Sequence, residues 1–487
     1  MSEDGFRASG NPHAAVNSGN RVFPSFRICM LRRCLVNFVI GILLAQGWWR
    51  EWDGGGEDWG YSVCVDGANN IIVAGNSYNP GTASVDGHIW KYDPAGVLLW
   101  DTPIPSPGDE WLENLDIDAN NNIYVCMTDY SSVTHEMRVL KYTASGTFLW
   151  NYSFGPNSNA VYEMQDIWVD GDMVFAVGTE DDTSADTVTL VLHYLDTLGN
   201  LIRTVYWDGR GFFGADAFGY SVCVNLSGNP VVGGMRTDYP IPNYKAMLVE
   251  FSRTTGAEVR RVEFNPTGEQ EIVEDIDVHP GGDLVCVVRV ETTPKSSYIY
   301  RYTSTFSQVW QIGLSSGTTR LGLYGVKIGP ADTILVSGLY QPNGQDADFW
   351  IRKYTSGGTL AWDTLIDHSS GYDDWAEDCY WDNTGLYTIS AGGTVAGGTN
   401  ENMLVYKLPI PPVATDEAGK PGQALSAAPN PFTAEITISG AEGPFMVYDS
   451  GGRLLFSTME KTLGKGLAPG VYFIETGNGM IRAVKAR

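Results

Sequence analysis

A unit of about 52 residues recurs seven times between residues 47 and 408, and such a period decides a fold more strongly than any local pattern. In the first copy four short apolar runs follow one another: Tyr61–Asp66, Ile71–Gly75, His88–Tyr92 and Gly96–Trp100, with turn residues between them. The third run of each copy ends on Tyr92, Tyr142, Tyr194, Phe251, Tyr302, Tyr354 and Leu408, in steps of 50, 52, 57, 51, 52 and 54 residues. A Gly-x-x-x-Trp follows at Gly96/Trp100, Gly146/Trp150 and Gly358/Trp362, and Trp310 keeps the tryptophan alone. The turn between the first two runs begins at Asp66, Asp118 and Asp382.

Four strands per unit at this period describe a propeller blade. A single twisted sheet cannot bury both faces, so each blade must pack on its neighbours and the ring must close. The seventh copy has three strands and then runs into Pro409-Ile-Pro-Pro412, which cannot supply a fourth. The segment Trp49-Arg-Glu-Trp52-Asp-Gly, ahead of the first copy, matches Tyr206-Trp207-Asp-Gly, the fourth strand of the third copy. The expectation is therefore an all-β, seven-bladed β-propeller over 47–408, closed by an N-terminal strand that covers two sheet edges. A linker at 409–424 and a small Ig-like β-sandwich at 425–487 follow.

Residues 1–46 read as a leader. Met30-Leu31-Arg32-Arg33 precedes the apolar run Cys34–Leu44 and the small residues after it, the layout of a secretory signal peptide whose start is Met30. The run is too short for a stable membrane anchor. The chain's net charge is −26, whereas the leader holds five Arg against Glu3 and Asp4, so the acid is concentrated in the ring. Phosphate-backbone binding, and with it a nucleic-acid partner, is disfavoured. Cys64, Cys126, Cys223, Cys286 and Cys379 lie far apart inside apolar strand patterns, which predicts buried small hydrophobes rather than catalytic or metal-binding groups.

The runs Asp-x-x-x-Asn-Ile-Ile-Val-Ala-Gly75 and Lys91-Tyr-Asp-x-x-Gly-x-x-x-Trp100 resemble the bacterial β-propeller repeats called SBBP over roughly 47–408. That resemblance implies the fold and says little about activity. The C-terminal module reads as short strands, and its motifs resemble the type A sorting domain of the type IX secretion system. The matching residues are Pro429-Asn430-Pro431-Phe432, Val447-Tyr-Asp-Ser-Gly451-Gly-Arg, Gly470-Val-Tyr472-Phe and the basic end at Lys485. The resemblance implies Sec export, passage through the type IX translocon, often cleavage by its sortase, and an extracellular or outer-membrane-surface location in a bacterium of the Bacteroidota or a related phylum. No membrane span is expected in the mature chain, and a monomer is.

Candidate chemistry is sparse. There is no Gly-x-Ser-x-Gly elbow, P-loop or His-Glu-x-x-His, and the histidines show no ligand spacing. Glu57-Asp58-Trp59, Asp109-Glu110-Trp111 and Asp373-Asp374-Trp375 recur just before the first strand of a blade, each aromatic seven residues ahead of the turn. Loops into innermost strands share one face, so Asp58, Trp59, Glu110, Trp111, Asp374 and Trp375 would gather around the channel mouth. Aromatic faces stack on sugars, and carboxylates bind hydroxyls or Ca2+. Blade packing explains the same pattern. Ile272 and Gly322 replace the tryptophan, which predicts an opening between copies five and six, with the cations Arg320 and Lys327 beside it. No cofactor is expected: a quinone does not fit seven blades without a cysteine pair. Ca2+ is the one metal the acidic loops could take, and no metal set is assigned. Asp118-x-Asn120-x-Asn122 lacks the glycine of a calcium loop and reads as a turn. Two functions follow, a secreted propeller that binds an unknown ligand, protein or glycan, and alternatively a polysaccharide hydrolase or lyase with carboxylates at the channel mouth.

Overall fold

The computed structural model describes residues 47–410 and 426–485, apart from short stretches mostly between strands. The leader and most of the linker lie outside the described residues.

Seven four-stranded antiparallel sheets form the ring. Six are meanders of consecutive strands. The seventh combines Asp374–Trp381, Tyr387–Ala396 and Asn400–Pro409 with Trp48–Trp52, whose register sets Trp48 against Lys407 and Trp52 against Met403. The N-terminal strand thus closes the ring as its outer strand. The register also refines the motif alignment: Trp48, rather than Trp52, stands where the repeat places its tryptophan, since Trp100 likewise faces Lys91 and Trp150 faces Lys141.

Sequence periodicity translates directly into packing. One apolar core lies between each pair of adjacent blades. Ile72, Ile89, Leu112 and Val125 pack blades 1 and 2, while Trp52, Val63, Trp90, Ile389 and Met403 pack blade 7 on blade 1. The five cysteines are free and buried in these cores. The recurrent Lys-Tyr and Trp positions are latches to the next blade. Lys91 Nζ donates to the Ala144 carbonyl at 2.9 Å, and Lys141 Nζ to Thr197 at 3.0 Å. Trp150 and Trp310 donate through Nε1 to the Thr197 and Ser356 carbonyls. At the closure Trp48 Nε1 and Lys407 Nζ both reach the Pro94 carbonyl, at 3.0 and 3.2 Å. The Asp turns are Asx turns: Asp118 Oδ1 accepts the Asn120 and Asn122 amides, with no glycine required. The sixth copy substitutes a single 3-10 turn at Pro330–Asp332, and Gly329 beside it packs so closely on Trp381 that no Cβ fits.

Beyond the linker two small sheets, of three and four strands, share a core of Ile436, Ile438, Phe445, Val447, Leu463, Tyr472 and Ile474. Pro429, Asn430, Pro431 and Gly451 lie outside the described residues. Gly470 pairs with Lys485 across two strands, Tyr472 donates its hydroxyl to the Ala468 carbonyl, and Lys485 Nζ donates to the Gly464 carbonyl. Among the described residues no helix is long and apolar enough to cross a membrane.

Candidate ligand site at the axial channel

The seven innermost strands surround the axis: Asp58–Val65, Glu110–Ile117, Ala160–Asp170, Ala215–Val224, Glu271–Val278, Leu321–Ile328 and Asp374–Trp381. Each carries a β-bulge at the same place, as between Gly60 and Ser62 or between Val273 and Asp275. A bulge re-aims the extra residue. Here it turns Tyr61, Glu113, Gln165, Tyr220, Glu274, Tyr324 and Glu377, in blade order, towards the axis, where they line a cavity of about 130 Å³. The second strand gives room for the bulge. A Cβ on Gly75, Gly234 or Gly392 would sit about 1.9 Å from the carbonyl oxygen of Trp59, Phe218 or Trp375, respectively. The glycine at this position of the second strand is therefore part of the channel's construction.

The residue after each bulge forms a second tier: Asn114, Asp166, Ser221, Asp275 and Asp378 line the cavity, and Ser62 donates to Asn114 and Asp378. An inner strand is a sheet edge, and its axis-facing amides need acceptors. The neighbouring blade supplies them. Asp378 Oδ2 accepts the Val63 amide at 2.9 Å, Asp166 Oδ2 that of Val222 at 2.6 Å, and Asp275 Oδ2 that of Val326 at 2.8 Å. One tier deeper, Asp116 and Asp277 accept from Val169 and Ile328, both at 2.7 Å. Ser221 Oγ bridges Asp166 and Asp275, spanning three blades. These carboxylates hold the ring together.

Their crowding shifts their protonation. Burial, then Glu163 and Glu377, push the Glu113 carboxyl up to about 8, and burial with Glu274 does the same to Glu377. Burial takes Asp166 to about 7 and Asp116 to about 6, and lifts Asp275 well above the ordinary range. Lys327 is the one basic residue on the seven inner strands. Its Nζ lies 3.9 Å from Asp277 and over the rings of Trp168 and Tyr380, at 5.1 and 5.0 Å. Burial would discharge it, yet Asp277, Tyr380, Asp275 and Asp116 hold its pKa well above the usual lysine value.

The recurring Asp/Glu-Trp pairs divide between two environments. Asp58, Glu110 and Asp374 are fully buried and face the blade interior rather than an open rim. Asp58 accepts the Ser77 hydroxyl and the Gly54 amide; Asp374 accepts the His368 and Ser369 amides. Glu110 has no hydrogen-bond partner, and burial beside Asp129 and Asp86 pushes it up to about 8. The aromatics stay together. Trp59 and Trp111 stack across blades 1 and 2 with centroids 5.1 Å apart, Tyr61 leans on both, and Trp59 Nε1 donates to Glu401. Trp375, on blade 7, lies over Gly393 of its own blade. Arg320 is exposed and paired with Asp373, whereas Lys327 is inside the channel. The expected opening at Ile272 and Gly322 is filled: Ile272 is buried, and the Tyr324 phenol covers Gly322. The ring of Glu113, Glu274 and Glu377 escaped the sequence reading because a bulge has no composition of its own; a glycine stands opposite the bulge at Glu377, but Met127 and Val288 stand opposite those at Glu113 and Glu274.

No protein-family model matches this chain, and no curated protein sequence matches it. Among solved structures the chain is similar to a Trypanosoma rangeli sialidase in complex with the inhibitor DANA, at 9% identity and a TM-score of 0.42. The likeness covers 65% of this chain and 57% of the sialidase chain, little more than half of that protein's length.

Proposed function

We propose that this chain is an exported, non-catalytic binding protein whose propeller takes an extracellular ligand, a glycan or a protein segment, at the aromatic mouth of its acid-lined channel. The Trp59–Trp111 stack beside Tyr61 carries this reading. Stacked indoles next to carboxylates suit sugar rings and their hydroxyls. The cavity beneath, about 130 Å³, is smaller than the roughly 300–1,000 Å³ of a typical small-molecule site, which favours recognition across the mouth. On a glycan array, with and without Ca2+, the full chain is expected to bind a restricted set of glycans, and Trp111→Ala to weaken that binding at least ~10-fold. No signal on any glycan would sink the glycan reading and leave a protein partner.

One observation favours the alternative of a polysaccharide hydrolase or lyase: Glu113 and Glu377, pushed up to about 8, would hold the proton a general acid needs. Release of new sugar ends from a bound polysaccharide, abolished by Glu377→Gln, would replace the binding reading with that one.

The proposal includes the route. Residues 1–46 act as a Sec leader, and 425–487 as the type IX sorting domain behind an SBBP-type propeller, with the translocon and its sortase as partners and a monomer on the cell surface or outside it. The motif residues Gly470, Tyr472 and Lys485, paired or hydrogen-bonded within one small sheet, support a folded signal. Deleting 427–487 is expected to leave the protein in the periplasm, read by fractionation and surface labelling. Surface display that persists after the deletion would refute the sorting role.

A further inference from the structure

The sixth blade breaks the repeat at one carboxylate. In blade 1 Asp86 stands six residues before Tyr92, is buried, and accepts hydrogen bonds from Asn79 Nδ2 at 2.7 Å and Ser84 Oγ at 2.9 Å. Its counterpart in blade 6 is Asp348, six residues before Tyr354, and it is also more than nine-tenths buried. Where Ser84 precedes Asp86 by two residues, Asp346 precedes Asp348, so a donor has become a second carboxylate. A third, Asp367, arrives from the loop that leads into blade 7. Oxygens of the three lie within 4.8 Å of one another. Among the described residues no donor or cation reaches the Asp348 carboxylate. Behind it Asp374, fully buried, leaves Oδ1 without a partner.

A buried carboxylate that has exchanged its donors for two more carboxylates is unstable as a structural element and suited to a cation. The donor set is all oxygen, with neither His nor Cys, which selects hard cations over zinc or copper. The Gly371 amide already orients Asp346 through Oδ2 at 3.0 Å. We propose that Asp346, Asp348 and Asp367 bind a hard divalent cation, Ca2+ foremost, that ties the loop before the third strand of blade 6 to the loop entering blade 7. The ion would brace the start of Asp374–Trp381, and therefore Trp375, on the face where the aromatic mouth lies. Burial and the neighbouring Asp367, Asp346 and Asp374 push the Asp348 carboxyl up to about 6, in keeping with a site that lacks its counter-charge.

The test uses the full chain, stripped with a chelator and titrated with Ca2+ by calorimetry, with Tb3+ luminescence as a second probe. One ion is expected to bind in the range of roughly 10⁻⁵–10⁻³ M, as in extracellular modules and weaker sensors. Asp348→Asn is expected to weaken it at least ~10-fold, as is Asp346→Ser, which restores the blade 1 arrangement and so retains the fold. Thermal melts without metal check that both variants are folded. Addition of Ca2+ should raise Tm in the wild type and not in the variants. Absence of binding by the wild type, or undiminished binding by folded Asp346→Ser and Asp348→Asn, would overturn the assignment.

Discussion

A Lys327→Met variant is expected to lose about 3–5 kcal/mol of stability near pH 8, the scale for removing one partner from a buried charge cluster. Methionine matches the stem and keeps the contacts with Trp168 and Tyr380, so the loss reports the ammonium. Without it Asp116, Asp166, Asp275 and Asp378 lose a positive charge that lowers their pKa values. The pH dependence follows. A carboxyl whose folded pKa is raised contributes stability that is fully present below its unfolded value near 4, and loses it as pH rises through the folded value. With Asp116 at about 6, Asp166 at about 7 and Glu113 and Glu377 at about 8, the wild type should lose stability steadily from pH 5 to 8. In the variant these values move higher, so its deficit should be largest at pH 8 and small near pH 5. Groups shifted the other way set the acid limit. The hydrogen bonds from Lys91 and Asn70 outweigh burial at Asp66, which stays below its usual value, so its contribution is lost as pH falls below about 4. Thermal melts of both proteins from pH 4 to 9 read the result. Equal melts across that range would mean that the lysine does not neutralise the channel.

Removal of residues 47–52 is expected to have a comparable effect by another route. It takes Trp52 from the core between blades 7 and 1, Trp49 from its edge contact with His368, and Trp48 and Arg50 from the carbonyls of Pro94 and Gly96. A single large core side chain is worth about 3–5 kcal/mol, so the loss should exceed that. It also bares the edge of Asn400–Pro409, a ladder ready to pair with another chain. Size-exclusion chromatography with light scattering should show oligomers in place of the wild-type species. A synthetic peptide of residues 47–53 should restore the original profile. An unchanged profile and Tm would mean the strand is dispensable.

The repeat was legible because its marker residues meet needs that recur from blade to blade. Lys91 and Trp150 recur because they reach carbonyls of the adjacent blade, and the Asp turns because each carboxylate holds its own turn's amides; the missing fourth strand of copy seven pointed to the N-terminus. The channel was not legible. Simple alternation along Asp58–Val65 places Asp58 and Trp59 on opposite faces but gives no hint of the bulge at Tyr61, and every residue beyond it changes side. Alternation alone separates the acid and indole of each Asp/Glu-Trp pair: Asp58, Glu110 and Asp374 are buried in the blade, while Trp59 stacks on Trp111. Lys327 stood out as a rare cation, but the carboxylates around it come from four other blades, and only the closed ring brings them to one lysine. Asp346 and Asp348 lie at the start of the third strand of blade 6 and Asp367 on the loop into blade 7, segments that the repeat pattern does not bring together.

The ring closure also sets an order of events. Trp48 pairs with Lys407 and Trp52 with Met403, so the first described strand waits for nearly the last strand of the propeller before it has a partner. Six blades are local meanders that can zip as they emerge, whereas the seventh joins segments about 350 residues apart in the chain. Entropy makes such a contact late, though the cost grows only slowly with length. An incomplete chain thus stays an open arc with two exposed ends. Ring completion therefore requires the chain through Pro409, and until that strand is in place the N-terminal strand has no ladder to join.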